Sequence, residues 1–354
     1  MEKIKDIEFL EEILNTPSPS GDTKAVMEIV RKKFEDLGLE INFSNKGAMI
    51  VTLRGESDEK QSTFAAHVDT LGLMVKEIKD NGRLKTTLIG GYGYPAVEGE
   101  YVTISTIDGK KYTGTCLHEH ASCHVYRDSA TAERNKDTME IRIDEVTSSR
   151  EETEDLGINV GDFIYLDSRT EITESGFVKS RHLDDKACVF VLYKVAQHLV
   201  ENNIKPKHTM NFFISNYEEI GHGACAGLPK ETDEFIVVDM AAPGIGQTSS
   251  EFACTVCPKD SSGPYDLELK NRLVKLARDN NIEYRIDIYP YYGSDGSAAL
   301  RSGEDVRVAL IGPGVDASHA MERTHMEGIQ ATIDLCLKYI ETCLLYTSLS
   351  GLAR

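Results

Sequence analysis

The chain has 354 residues, 40% hydrophobic and 27% charged, which suits a folded globular protein with room for two domains and a large core. Asp and Glu outnumber Lys and Arg by 58 to 39, and the resulting formal charge of −19 speaks against binding to nucleic acid or to an anionic membrane surface. No run approaches the roughly 20 apolar residues of a membrane span, the opening Met1–Asp6 stretch lacks the apolar core of an export signal, and eight cysteines are too sparse for a disulfide scaffold, so free thiols in the cytoplasm are expected.

Taken in order, residues 4–16 predict a short helix that Thr16-Pro17-Ser18-Pro19-Ser20-Gly21 breaks. A second helix is expected from about Asp22 to Leu37, with Val26, Ile29, Val30 and Phe34 on one face and Gly38 as its cap. Residues 41–53 read as strand around an Asn45-Lys46-Gly47 turn, and 63–66 as a short apolar strand delivering His67-Val68-Asp69. The texture then changes. Residues 71–166 are rich in Thr, Val, Ile and Tyr, and Asp108-Gly109 between two alternating runs is a hairpin signal. A small β-barrel-like domain is expected there, with an exposed loop within the charged stretch 127–155.

An α/β pattern returns beyond it. A helix over 184–201 is followed by strands at 209–214 and 234–239, a helix at 265–280, a strand at 283–289, a short helix from Ser294, a strand at 306–311 and a helix over 326–344. Alternating strands and helices predict a mostly parallel sheet with helices on both faces. The division expected is an α/β domain made of 1–70 and 167–354, interrupted by the insert 71–166. Residues 346–354 carry no pattern and read as a frayed tail.

Potential metal ligands recur at strand ends: His67 and Asp69, Asp184 and Asp185, Glu218 and Glu219, Asp239, and His325. Strand C-termini are where open α/β sheets place their chemistry. Imidazole and carboxylate together suit Zn²⁺, Co²⁺ or Mn²⁺. Two histidines and three carboxylates suffice for two metals if one carboxylate bridges, a hydrolytic arrangement that polarises a carbonyl and acidifies a water. Adjacent Glu218 and Glu219 point different ways, so one is free to bind metal while the other handles a proton.

The ordered set Ala66-His67-Val68-Asp69, Leu183-Asp184-Asp185-Lys186, Glu218-Glu219-Ile220-Gly221, Val238-Asp239 and His325 resembles the M42 family of dinuclear metallo-aminopeptidases, over nearly the whole chain. The resemblance implies a zinc-exopeptidase-like fold and removal of N-terminal residues from short peptides. It implies two divalent ions per subunit, Zn²⁺ or Co²⁺, with His67 and Asp239 on one, Glu219 and His325 on the other, and Asp184 bridging. Glu218 would be the general base, and Asp69 would orient the His67 imidazole. The insert would mediate self-association, from a dimer to a tetrahedral dodecamer. Thr70, Lys186 and the Met321–Thr324 segment depart from the family pattern and leave pocket contacts and the preferred N-terminal residue open.

Several alternatives stand beside this one. Asp185 competes with Asp184, and His319 with His325. Paired carboxylates alone would also serve a glycosidase, and the fold would also serve a peptide-binding scaffold without turnover. Co-catalytic carboxypeptidases and deacylases form a same-class alternative. His182 and His222 flank presumed ligands, and Cys116, His118, His120, Cys123 and His124 crowd together without zincin spacing. Cys254 and Cys257 form a lone pair read as strand thiols. No nucleotide-binding glycine loop and no serine-nucleophile elbow is present.

Overall fold

The structure is a computed structural model that describes residues 6–343; the tail expected at 346–354 and the first five residues lie outside that range. A nine-stranded sheet forms the larger part. Its centre is four parallel strands in the spatial order His208–Ser215, Ser57–His67, Thr232–Val238 and Arg307–Pro313. Met49–Leu53 and then Glu40–Phe43 extend one side antiparallel. Cys254–Asp260 extends the other, also antiparallel, and carries Gly263–Pro264 and Tyr284–Ile288.

The central strands read as near-continuous apolar runs because both faces are covered. Along Phe212-Phe213-Ile214, alternate side chains enter different cores. On one face, the helices Ile7–Asn15, Lys24–Asp36, Leu183–Glu201, Leu267–Asp279 and Met326–Cys343 supply the main core. On the other, the helix Asp295–Ser302 and loops bearing Leu228 and Tyr265 form a thinner layer. Helices therefore lie on both faces, unequally.

Between these halves the chain builds a closed six-stranded barrel, in the order Gly72–Ile78, Leu84–Ile89, Met139–Ile143, Lys111–His118, Tyr101–Ser105 and Phe163–Leu166. Its interior is filled by Leu73, Val75, Leu84, Ile104, Ile141 and Ile164 among others, so it is a packed core. The stretch 127–155 holds the expected exposed loop up to residue 138, and beyond it the barrel strand Met139–Ile143 and the helix Arg150–Asp155, which were not expected. The strand was masked by its charge. Glu140 is 2% exposed and pairs with Lys79 at 2.6 Å and Arg83 at 2.5 Å, so a buried ion pair interrupts the apolar alternation.

A third, three-stranded sheet of Glu171–Ile172, Phe177–Ser180 and Glu322–His325 lies just ahead of two helices. It brings the turn before Leu183–Glu201 beside the segment that precedes Met326–Cys343. In the main core, Phe64 is fully buried and touches Phe212 and Tyr339 with ring centroids 6.3 and 5.5 Å apart. Phe64→Ala is expected to lower the unfolding free energy by about 3–5 kcal/mol, measured by urea denaturation. A change below about 1 kcal/mol would show that this aromatic column is not what holds the sheet to the last helix.

Candidate active site

Five loops meet beyond the C-terminal ends of the parallel strands. Ser57–His67 ends on His67, and Thr232–Val238 is followed at once by Asp239. Glu218 and Glu219 open a short turn after His208–Ser215. Asp184 sits at the start of Leu183–Glu201, where Asp184 and Asp185 depart from helical geometry. His319 comes from the loop after Arg307–Pro313. Gly312 permits the close approach of two of these strands, since a Cβ there would lie 1.8 Å from the Asp239 carbonyl oxygen.

Asp184 stands at the centre. Its Oδ1 is 3.3 Å from His67 Nε2 and its Oδ2 is 3.3 Å from His319 Nε2. Each imidazole is tied from behind: His67 Nδ1 donates to the Asp69 carbonyl and His319 Nδ1 to the Gly91 carbonyl, both at 2.9 Å. With Nδ1 as the donor, the neutral ring turns the Nε2 lone pair toward Asp184. Glu219 Oε2 lies 3.4 Å from His319 Nε2. The ligand atoms of His67, Asp184 and Asp239, and those of Asp184, Glu219 and His319, form two groups, each within 4.8 Å.

The electrostatics of this cluster call for cations. His67 Nε2 is buried without a hydrogen-bond partner. Burial raises Asp239 to about 7, with Asp184 adding to the rise. Burial likewise pushes Glu218 and Glu219 well above the usual carboxylate range, against the pull of the histidines. Burial works to raise Asp184 too, but His319 and His67 outweigh it and hold the carboxyl low. The carboxylates in turn raise both imidazoles against the pull of burial, His319 to about 11, so the cluster needs positive charge between its carboxylates, which divalent ions at the same atoms would supply. The donor set fits such ions.

The structure places the expected residues as follows. His67, Asp184, Glu218, Glu219 and Asp239 come together. His325 does not join them. Its Nδ1 accepts from the Glu327 amide at 3.1 Å, so Nε2 carries the proton and donates to the Ser175 carbonyl at 2.9 Å. Phe177 and Phe252 pack against the ring, with centroids 4.8 and 4.6 Å away. With both nitrogens used at the start of the last helix, His325 lies outside both ligand groups, and His319 stands where His325 was expected. Asp185 is turned away from both groups, and its Oδ2 accepts from the His67 amide at 3.2 Å.

Asp69 stands behind the His67 imidazole, its carbonyl 2.9 Å and its carboxylate Oδ1 3.5 Å from Nδ1, and its carboxylate has a further task. The carboxylate accepts the amides of Glu218 at 3.1 Å and Glu219 at 3.2 Å, and the Ser20 hydroxyl at 2.5 Å. It therefore fixes the turn that presents both glutamates. The Pro17–Gly21 break has a use here: Ser18 donates to the Val68 carbonyl, and Pro19 bridges to Thr70, lining this segment against the His67–Thr70 turn. Lys186 is fully buried and donates to the Thr16 carbonyl at 2.7 Å.

Beside the cluster lies a cavity of about 610 Å³, bordered by Glu218, Met240, Pro243, Tyr291, Tyr292 and Arg301. His182 faces a different cavity, next to the barrel, and His222 stacks on Tyr217 with centroids 5.0 Å apart. Among the described residues no metal-holding group includes His118, His120 or His124. His118 accepts from the His120 amide, and His120 stacks on Tyr126. Cys254 and Cys257 belong to cores on opposite faces of the sheet and are not bonded to each other.

A shared carboxylate between two imidazole-bearing groups, at the strand ends of an α/β sheet, defines a metallohydrolase class of site. Comparison with known proteins narrows it. The profile of the family described as M42 glutamyl aminopeptidase matches residues 47–335. YhfE of Bacillus subtilis (strain 168) is 48% identical over 338 residues, covering 96% of this chain and 98% of that protein. The lysyl aminopeptidase of Pyrococcus furiosus is 27% identical over 349 residues, covering 95% and 97%. The Pyrococcus horikoshii TET1 peptidase, described as assembling into a tetrahedron or a large octahedral shell, superposes with a TM-score of 0.82 at 23% identity, covering 94% and 98%. The chain belongs to the M42 peptidase family and is a metal-dependent aminopeptidase.

If His325 supports the last helix and His319 serves the site, substitutions must separate them. His325→Ala is expected to lower the thermal midpoint while keeping most turnover of a peptide substrate. His319→Ala is expected to keep the midpoint of the metal-free protein and abolish turnover. The reverse pattern would restore the assignment to His325.

Proposed function

We propose that the enzyme removes N-terminal residues from short peptides at a centre that holds two divalent ions, with His67 and Asp239 serving one, Glu219 and His319 the other, and Asp184 both. The observation that carries this is Asp184, whose two oxygens each lie 3.3 Å from a different imidazole. Bound there, Zn²⁺ or Co²⁺ would supply Lewis acidity, polarising the scissile carbonyl and acidifying a water.

Glu218 does the proton work. It lies outside both ligand groups, borders the cavity, and its Oε2 is 3.7 Å from His67 Nε2. As general base it takes a proton from the attacking water, and as general acid it returns that proton to the departing amine. Asp69 sets its position through the two turn amides.

Glycosidase chemistry with Glu218 as one of two carboxylates accounts less well for the site, because it has no use for two imidazoles aimed into the carboxylate cluster. A binding-only scaffold has no need of a carboxylate held outside the ligand groups. Self-association of the enzyme through the barrel region 71–166 is part of the same proposal, as is residence in the cytoplasm. Among the described residues no helix is long and apolar enough to cross a membrane.

Two measurements test this. Glu218→Gln is expected to retain the ions of the wild type, measured by elemental analysis, while kcat falls by roughly 10²–10⁴-fold; an active variant would remove Glu218 from the base role. A panel of short peptides with free or acetylated N-termini, assayed with Co²⁺ or Zn²⁺ and again after chelation, is expected to show metal-dependent release of the first residue from free N-termini only. Cleavage of acetylated peptides would shift the assignment to a deacylase or carboxypeptidase.

A further inference from the structure

Glu322 belongs to neither ligand group, yet it is 2% exposed and lies directly behind them. Its Oε1 accepts the His319 amide at 3.0 Å and its Oε2 accepts the Asp184 amide at 3.1 Å. One carboxylate thus ties together the backbones of two site residues that are far apart in the sequence. Both need holding. His319 has φ 65 and Ala317 φ 56, a left-handed geometry that is unfavourable for a residue with a side chain. Asp184 sits in the non-helical opening of its helix.

The surrounding contacts reinforce this link. Arg181, 2% exposed, donates to the Ala320 carbonyl at 3.0 Å and to the Ala96 carbonyl at 2.6 Å, and pairs with Glu100 at 3.1 Å. Together with the Gly91 carbonyl behind His319, these contacts build the His319 loop against the segment 91–100 that leads into the barrel strand Tyr101–Ser105. The other half of the site rests on regular structure. His67 ends a central strand, and the Asp239 amide donates to the Ile311 carbonyl at 2.9 Å, continuing the ladder. The His67 amide donates to Asp185 and the Asp239 amide to a strand carbonyl, so neither backbone depends on Glu322, whereas the His319 loop does.

We propose that Glu322 is a positioning residue for Asp184 and His319, so that its loss weakens metal loading most at the half-site of Asp184, Glu219 and His319, where it holds two of the three residues, and less at that of His67, Asp184 and Asp239, where it holds one. This rests on the two-ion proposal above. The side chain is suited to the task because a carboxylate offers two acceptors in a fork, matching two converging amides.

The test titrates the metal-free wild type and E322Q with Co²⁺, following the visible absorption of bound Co²⁺ and competition with a chromophoric chelator. Gln keeps the shape but sets an NH₂ group against one of the two amides. The wild type is expected to bind two ions. E322Q is expected to bind the ion of the His319 half-site roughly 10–100-fold more weakly and the other with a smaller loss, with excess Co²⁺ restoring turnover. If E322Q does not fold, E322D, which is too short to reach both amides, carries the same expectation. Two ions at unchanged affinity, or equal weakening of both, would overturn the assignment of Glu322 alone. A wild type that binds no Co²⁺ would overturn the two-ion proposal beneath it.

Discussion

Asp184 standing between two imidazoles is the constraint on which the rest of the site depends. A carboxylate shared in this way must be reached by His67 from the end of a central strand and by His319 from a loop two strands away. Both rings must also turn the same nitrogen inward. The backbone carbonyls of Asp69 and Gly91 impose that choice by accepting from Nδ1. Second contacts of this kind set ring orientation and basicity as much as the ligand identity does.

The parallel order of the central strands explains why the cluster forms where it does. Four strands run the same way, so their C-terminal ends lie side by side, and each following loop opens at one edge. The buried core beneath makes that edge rigid. Asp69 then carries this rigidity to Glu218 and Glu219 by accepting their amides. One glutamate can be presented to a ligand group and its neighbour to the cavity because successive side chains in the turn diverge.

Much of this was legible in the sequence, and the failures have physical causes. The buried strands announced themselves as apolar runs, and His67, Glu218, Glu219 and Asp239 were visible as polar residues directly after them. His319 was read only as the rival of His325, because its loop has no period and its backbone takes a left-handed geometry that leaves no pattern in composition. His325 looked the better candidate since it borders a helix, but that position made it a helix-start hydrogen-bond acceptor between two phenylalanines. Glu322 left no signal, as a buried carboxylate paired only with amides reads like any other glutamate. The barrel strand Met139–Ile143 was hidden by Glu140, whose partners Lys79 and Arg83 lie more than 50 residues earlier.

The central claim is that two ions share Asp184, with His319 on one of them. The most direct measurement is a crystal structure of the Co²⁺-loaded enzyme with anomalous diffraction collected on both sides of the cobalt edge. The account predicts two anomalous peaks flanking the Asp184 carboxylate, one within bonding distance of His67 Nε2 and the other of His319 Nε2, with His325 still bonded to Ser175. A single peak remote from Asp184, or a peak bonded to His325, would contradict it.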